Sequence, residues 1–340
     1  MSQRVRLWSA LGVVYVVWGS TYLAIRVLVR SAPPLLSAGS RFLAAGLILA
    51  GIVAAIRGPG VLRVSRRQLG SVVLIGGLLL LGGNGLVVLA EKNGVASSVA
   101  ALMVATVPLV VVVIRLLAGD RPARATLISV AIGFAGIALL VGVGHGGPFA
   151  SMLLLVLAPT SWALGSWLSA RLPLPADPLA STAWQMLAGG SWLTLVGSAT
   201  GEWRGFSLGN VTTSGWIAWV YLLVAGSLLA FTAYIWLLQN APLSLVATYA
   251  YVNPAVAVIL GAAILSERLT IGVALGAMAI VASVAIVVST ESTSRRVVRV
   301  LRPRTATEDA CAEDTTGAQH CTTCAASCAL AGAAPSQATT

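Results

Sequence analysis

Polar side chains at helical spacing interrupt the long apolar stretches of this sequence. Asn84 and Glu91 are seven residues apart, about two helical turns, so they share one face of a helix. An amide in hydrocarbon is costly unless it is paired, so Asn84 should face the interior of a helix bundle. There it could form a hydrogen bond with a bound solute or with a neighbouring helix, and the sequence leaves both interpretations open.

Glu91 lies at the predicted outer edge of the third membrane span, and no other acidic residue lies within a span. Its carboxylate could hold a coupling proton or contact a cationic solute. Because Lys92 and Asn93 follow it directly, the sequence favours a third interpretation, a solvated carboxylate at the end of a helix. A single acid in all the spans gives little support for proton coupling.

Aromatic residues provide a second set of candidates. Trp18 and Tyr22 are four residues apart in the first apolar stretch, with Thr21 between them. Trp18 lies deeper than an interfacial aromatic belt. Such rings can line a cavity, stack on planar solutes and bind cations, or they can serve bundle packing alone. The other candidate cavity residues are Trp162, Ser166, Tyr234, Tyr249 and Asn253.

One arginine and two prolines within the spans are further candidates. Arg41 lies about two turns into the second apolar stretch. Its guanidinium could bind an anionic group in a cavity, but the sequence favours a side chain that extends outward to the membrane surface. Pro108 and Pro254 each free a backbone carbonyl one turn earlier and can kink their helices, so they are candidate gating positions.

The residues that hydrolytic, metal or nucleotide chemistry requires are missing from the apolar stretches. All four cysteines and His320 lie after residue 310, and the other histidine, His145, lies in a predicted loop. A zinc site in that terminal segment is possible by residue type, but an incidental disordered segment is favoured. No nucleophile–base pair and no P-loop occurs. We therefore predict no catalytic residue, cofactor or metal site.

Long apolar helices must position these candidates. The chain of 340 residues is 58% hydrophobic and 9% charged, whereas a soluble domain carries roughly 25% charged residues. Continuous apolar runs of about 20 residues predict helices, because lipid offers no partner for backbone polar groups. We predict an all-α integral membrane protein with ten transmembrane helices, at 8–30, 35–56, 70–90, 95–117, 124–143, 150–171, 179–199, 213–238, 243–265 and 270–289.

The basic residues predict the orientation of these helices. Of 21 lysines and arginines, 15 fall on the inner side if both termini are cytoplasmic, and 6 fall elsewhere. Basic residues concentrate in cytoplasmic loops, so we predict a multi-pass protein of the cytoplasmic (plasma) membrane with both termini in the cytoplasm. The same placement, in short clusters between apolar runs, argues against a nucleic-acid partner.

Two parts of the sequence resemble each other. Residues 106–108, an apolar run and Asp120-Arg121 parallel residues 252–254, an apolar run and Glu267-Arg268. These segments are five predicted helices apart, and an odd number of helices inverts the second copy in the membrane, as in many secondary transporters. The chain then divides into a first five-helix repeat, a second five-helix repeat and a basic, then disordered, cytoplasmic tail, at 1–143, 150–290 and 291–340.

Five short motifs lie along residues 8–290. They are Trp18–Ile25, Pro33-Pro34 with Arg41-Phe42, Asn84–Glu91, Ala105–Leu109, and Tyr251–Pro254 with Glu267–Thr270. In their order and spacing they resemble the EamA-type transporters of the drug/metabolite transporter superfamily. This resemblance implies ten helices as two inverted five-helix repeats around a central cavity. It also implies the movement of small metabolites or drugs, often as export.

We therefore expect a secondary transporter that carries out efflux of small organic solutes, such as amino-acid-like compounds, by alternating access without ATP hydrolysis. An uptake permease of the same fold is the alternative, and a membrane-embedded enzyme is a weaker one. The expected partners are a small-molecule solute and the lipid bilayer. A coupling ion, and the choice between monomer and homodimer, remain open.

Overall fold

A computed structural model of the chain describes residues 3–119, 123–142, 148–241, 246, 249–265, 271–272, 274–283, 285–286 and 289. The described residues form helices and connecting loops, with no strand among them. The predicted tail at 291–340 lies outside the described residues. So do the junction pairs Asp120-Arg121 and Glu267-Arg268.

The helices follow one another along the whole described chain. In order they are α1 (Arg4–Leu28), α2 (Pro34–Arg57), α3 (Arg66–Lys92), α4 (Ser97–Leu117), α5 (Arg124–Gly142), α6 (Phe149–Ser169), α7 (Pro178–Ala199), α8 (Thr213–Asn240), α9 (Tyr249–Leu265) and α10 (Ala274–Ser283). Six of them, α1, α2, α3, α4, α6 and α8, are long and apolar enough to cross a membrane. At 1.5 Å per residue, their 21 to 28 residues exceed the 30 Å hydrocarbon core. The prediction of an all-α membrane protein is confirmed, and the number of ten spans stays a prediction.

Helix α7 is long enough to cross a membrane but is less apolar, because one side of it, with small and polar residues, packs against other helices. It packs against α2 and α3, and its small and polar residues, including Ser181, Thr182 and Gln185, are buried there. Gly39 of α2 and Gly190 of α7 lie at the contact between these two helices. A Cβ atom added to Gly39 would lie 3.1 Å from the carbonyl oxygen of Gly190. Small residues allow such close contact between helices in lipid.

The α2–α7 pair is also tied at both ends by carboxylates. At the start of α2, Glu202 accepts hydrogen bonds from the backbone N–H groups of Leu35 (3.1 Å) and Leu36 (2.9 Å). At the other end, Asp177 caps the first turn of α7 and forms an ion pair with Arg57, the last residue of α2. The two helices are therefore held as one antiparallel unit.

Replacing Glu202 with alanine should lower the free energy of unfolding by about 1–2 kcal/mol, because two backbone donors and a favourable charge at a helix N-terminus are lost. Thermal unfolding of the detergent-solubilised protein measures this change. The exposed neighbour Arg204 provides the control, since Arg204→Ala leaves the cap intact. Equal melting temperatures for the two variants would contradict the capping role.

Several helices depart from regular α geometry at mid-length. π-helical stretches occur at Val14–Trp18 in α1, Gly77–Gly85 in α3 and Leu222–Phe231 in α8. Helix α4 is interrupted by a turn at residues 105–106, so Pro108 lies in the first turn of its second segment. Pro254, by contrast, lies inside α9. π-helical stretches often mark functional sites, and these irregular regions surround one cavity.

Candidate substrate cavity

A cavity with an empty volume of about 680 Å³ lies between α1, α2, α3, α4, α6, α8 and α9. Six of the predicted residues line it: Trp18, Thr21, Tyr22, Asn84, Trp162 and Tyr249. The cavity thus brings together side chains from both halves of the chain.

An aromatic cluster forms one wall of this cavity. The ring of Trp18 has its centroid 5.4 Å from that of Trp162, 4.8 Å from Tyr234 and 5.5 Å from Tyr249. The contacts with Trp162 and Tyr249 are edge-to-face, a favourable arrangement worth about 0.5–1.5 kcal/mol beyond area burial. Four helices therefore meet at Trp18, near the middle of α1.

Tyr234 lies behind this wall, fully buried and outside the cavity lining. Trp162 Nε1 donates to the Tyr234 hydroxyl at 3.1 Å, and the Ser166 hydroxyl donates to the Trp162 carbonyl at 2.8 Å. The Tyr234 proton then has Ser166 Oγ as its acceptor, at 2.9 Å. These three residues form a closed hydrogen-bond ring in which each donor has a partner, and the ring ties α8 to α6.

Ser166 lines a second cavity, with an empty volume of about 530 Å³. This cavity lies between the last turns of α6, the start of α7 and the end of α8, and Gln185 and Arg171 contribute to it. Trp162 in the first cavity and Ser166 in the second are one turn apart on α6. The hydrogen-bond ring around Tyr234 is therefore part of the partition between the two cavities.

Arg41 does not extend outward to the membrane surface, as the sequence favoured. It is only 3% exposed and lines the first cavity. Its Nη2 atom donates to Asn84 Oδ1 at 2.8 Å, and its guanidinium lies 4.2 Å from the ring centroid of Phe42. The reason is tertiary: α7 and α8 cover α2, so this face of α2 is turned into the bundle.

Glu91 is fully buried, so the predicted solvated helix end is also wrong. It does not line the first cavity. The end of α1 covers this end of α3: Arg26 donates to the Glu91 carbonyl, and Lys92 Nζ donates to the Val29 carbonyl at 2.7 Å. These contacts fix the end of α3 against α1.

Asn253 is buried beside the aromatic cluster but does not reach the cavity. When its amide is oriented to suit its neighbours, Nδ2 donates to the carbonyls of Tyr15 at 3.0 Å and Tyr249 at 3.3 Å. Asn253 therefore joins α9 to α1, which is a helix–helix role rather than a contact with a solute.

Two phenylalanines and two glycines of the lining were missed in the sequence. Phe42 and Phe231 face each other with ring centroids 6.3 Å apart. Phe231 lies three residues before Tyr234, so the helical spacing of aromatic residues in α8 could have identified it. A Cβ atom on Gly83 would lie 2.5 Å from the Trp162 side chain. Glycine is so frequent in this sequence that neither Gly83 nor Gly226 gave a signal.

Comparison with known proteins gives the same fold and assigns a family. The sequence matches the EamA-like transporter family over residues 7–142 and again over residues 149–289. A crystal structure of another protein aligns with a TM-score of 0.61 at 22% identity, covering 86% of this chain and 99% of that chain. At that identity the alignment supports the fold alone.

Two curated relatives extend this result. The Escherichia coli K12 protein described as the uncharacterized inner membrane transporter YedA is 41% identical over 270 residues, 79% of this chain and 86% of the relative. The Bacillus subtilis protein described as the uncharacterized transporter YvbV is 26% identical over 276 residues, 80% of this chain and 88% of the relative. The chain therefore belongs to the EamA-like transporter family and is an integral membrane transporter.

Proposed function

We propose that the protein is a secondary transporter that exports a small organic solute through the first cavity by alternating access. The observation that carries this proposal is the cavity itself, because it combines a buried cation, an amide and six aromatic side chains at the meeting point of both halves of the chain. Export is the direction that the EamA-type resemblance implies. An uptake permease of the same fold remains the alternative.

The packing of the helices supports two inverted five-helix repeats. Helix α1 packs against α8 and α9, and α6 packs against α3 and α4. If each helix is exchanged with the helix five places away in the chain, the α1–α8 and α1–α9 contacts become the α6–α3 and α6–α4 contacts. The same exchange maps the α2–α7 pair and the α4–α9 pair onto themselves, and both pairs are in contact. The long π-helical stretches lie in α3 and α8, which the exchange also relates.

The two cavities support alternating access. With both termini in the cytoplasm, the first cavity lies toward the outer side, because it includes residues from the second half of α1, and the second cavity lies toward the cytoplasm. The partition between them consists of packed rings and the hydrogen-bond ring around Tyr234. Related halves can exchange conformations, which would open the pathway to one side and then the other.

Comparative metabolite profiling of medium and cytoplasm tests this proposal, in cells with and without the intact chain. We expect at least one small solute to accumulate inside cells that lack the protein. Val87 lines the first cavity, so Val87→Phe should abolish the difference by filling it. The matched variant Ile56→Phe, at a position 75% exposed on α2, should leave transport intact. Depletion of the solute in cells lacking the protein would establish uptake instead.

A further inference from the structure

We propose that the first cavity binds the carboxylate group of a small organic anion through Arg41, with Asn84 as its second donor. This inference rests on the proposed transport function and adds the chemical class of the solute. The juxtaposition that carries it is a buried guanidinium beside a half-satisfied amide on the wall of a cavity lined by aromatic rings.

Arg41 lacks the partners that a buried arginine requires. A guanidinium has five N–H donors. The guanidinium of Arg41 donates one hydrogen bond to a protein side chain, that of Asn84. In the part of the chain that the structure describes, its buried Nε atom has no acceptor. A buried cation is strongly unfavourable unless a counter-charge and hydrogen bonds compensate for its lost hydration.

Among the residues that the structure describes, no carboxylate forms an ion pair with Arg41. Of the ten acidic residues in the sequence, Glu91 alone lies within one of the six helices that are long and apolar enough to cross a membrane. Glu91 follows Asn84 by two helical turns and lies outside the cavity lining. The side-chain ion pair between Arg57 and Asp177 lies at the far end of α2. The missing negative charge is therefore assigned to a bound solute.

The donors present suit a carboxylate. Asn84 Oδ1 accepts from Arg41, so the amide nitrogen, which carries two further donors, has no partner among the described residues. Guanidinium and amide N–H groups can together bind both oxygens of a carboxylate. A single cation neutralises one negative charge, whereas a phosphate monoester would leave excess charge in hydrocarbon. Trp18, Phe42 and Phe231 provide apolar surface for the rest of the solute.

A purely structural role for Arg41 is less consistent with the second half of the chain. Arg41 lies seven residues after Pro34 on α2, and Gln185 lies seven residues after Pro178 on α7. Gln185 is fully buried and donates to Ser181 at 3.1 Å. Gln185 on α7, the counterpart of Arg41 on α2, is thus neutral. The packing of these two helices therefore does not by itself require a cation.

Metabolite profiling with variants of the full chain tests the inference. We expect the solutes that depend on the wild-type protein to carry a carboxylate at neutral pH. Asn84→Asp places an internal carboxylate next to Arg41 with almost no change of shape, so it should reduce transport of these solutes at least tenfold. Arg41→Gln should do the same. Asn93→Asp makes the same chemical change at an exposed position and should have no effect.

Each outcome separates this inference from the proposed function. If the wild-type protein moves only solutes that lack a carboxylate, the assignment of a carboxylate is wrong and the transport function stands. Wild-type rates for Asn84→Asp would likewise overturn it. If both cavity variants fail to reach the membrane as monodisperse protein, Arg41 and Asn84 are structural, and the inference fails. If the wild-type protein moves no solute, the proposed function fails, and this inference with it.

Discussion

Replacing Gly39 with alanine should prevent most of the protein from accumulating in a folded form. A Cβ atom at this position would lie 2.4 Å from Thr194 Oγ1 and 2.9 Å from the Thr194 backbone nitrogen. A backbone atom in a neighbouring helix cannot move aside without separating α2 from α7. Overpacking of this kind costs about 1–3 kcal/mol or more, a large part of the stability of a typical domain.

The control for this variant lies on the same helix. Gly51 is exposed on α2, and a Cβ atom there would meet nothing within 4 Å. Gly51→Ala should be neutral or stabilising, since alanine is favoured over glycine in helices by about 1 kcal/mol. The measurement is the yield of monodisperse protein in detergent and its thermal unfolding. Comparable yields for the two variants would show that α2 and α7 are not in the close contact described.

Replacing Tyr234 with phenylalanine should shift the conformational equilibrium of the transporter. The change removes the hydroxyl that links Trp162 Nε1 to Ser166 Oγ and leaves the partly buried indole N–H of Trp162 without its partner. Leaving such a group unsatisfied costs about 1–3 kcal/mol. If the ring of hydrogen bonds opens in the other conformation, that conformation becomes roughly five- to hundredfold more populated.

Cysteine accessibility measures this shift. The four native cysteines lie after residue 310, so their replacement by serine gives a cysteine-free membrane region. With a small thiol reagent, Tyr234→Phe should make a cysteine at Leu238, in the second cavity, react faster and one at Val87, in the first, react more slowly. Tyr221→Phe, which removes a 2.5 Å contact with Ser20 elsewhere on α8, is the control. Unchanged reactivities at both positions would show that the Tyr234 hydroxyl does not affect the conformational equilibrium.

The sequence predicted the nature of the protein better than the surroundings of individual side chains. Hydropathy and rare charge are properties of whole helices, so they indicated an all-α membrane protein and placed Trp18 near the middle of its span. Arg41 and Glu91 were misplaced because the burial of a side chain near a helix end depends on which neighbour covers it. That neighbour is α7 together with α8 for Arg41, and the end of α1 for Glu91.

The difference between contacting a cavity and supporting it was equally beyond the sequence. Tyr234 and Tyr249 are both aromatic and both close to Trp18. Only the rotation of each helix about its axis decides that Tyr249 reaches the cavity while Tyr234 is turned toward α6. That rotation is set by packing among several helices, and the shallow apolar periodicity of lipid-embedded segments does not encode it.

The carboxylate ties at both ends of the α2–α7 pair have an electrical consequence. A membrane potential does about 2.3 kcal/mol of work per 100 mV on each elementary charge that crosses the full field. Arg41 belongs to a pair of helices held together by Glu202 at one end and by Arg57 and Asp177 at the other. If the remaining helices rearrange around this fixed pair, the arginine keeps its depth and carries no gating charge. The voltage dependence of transport would then report the charge of the solute and of any ion that moves with it.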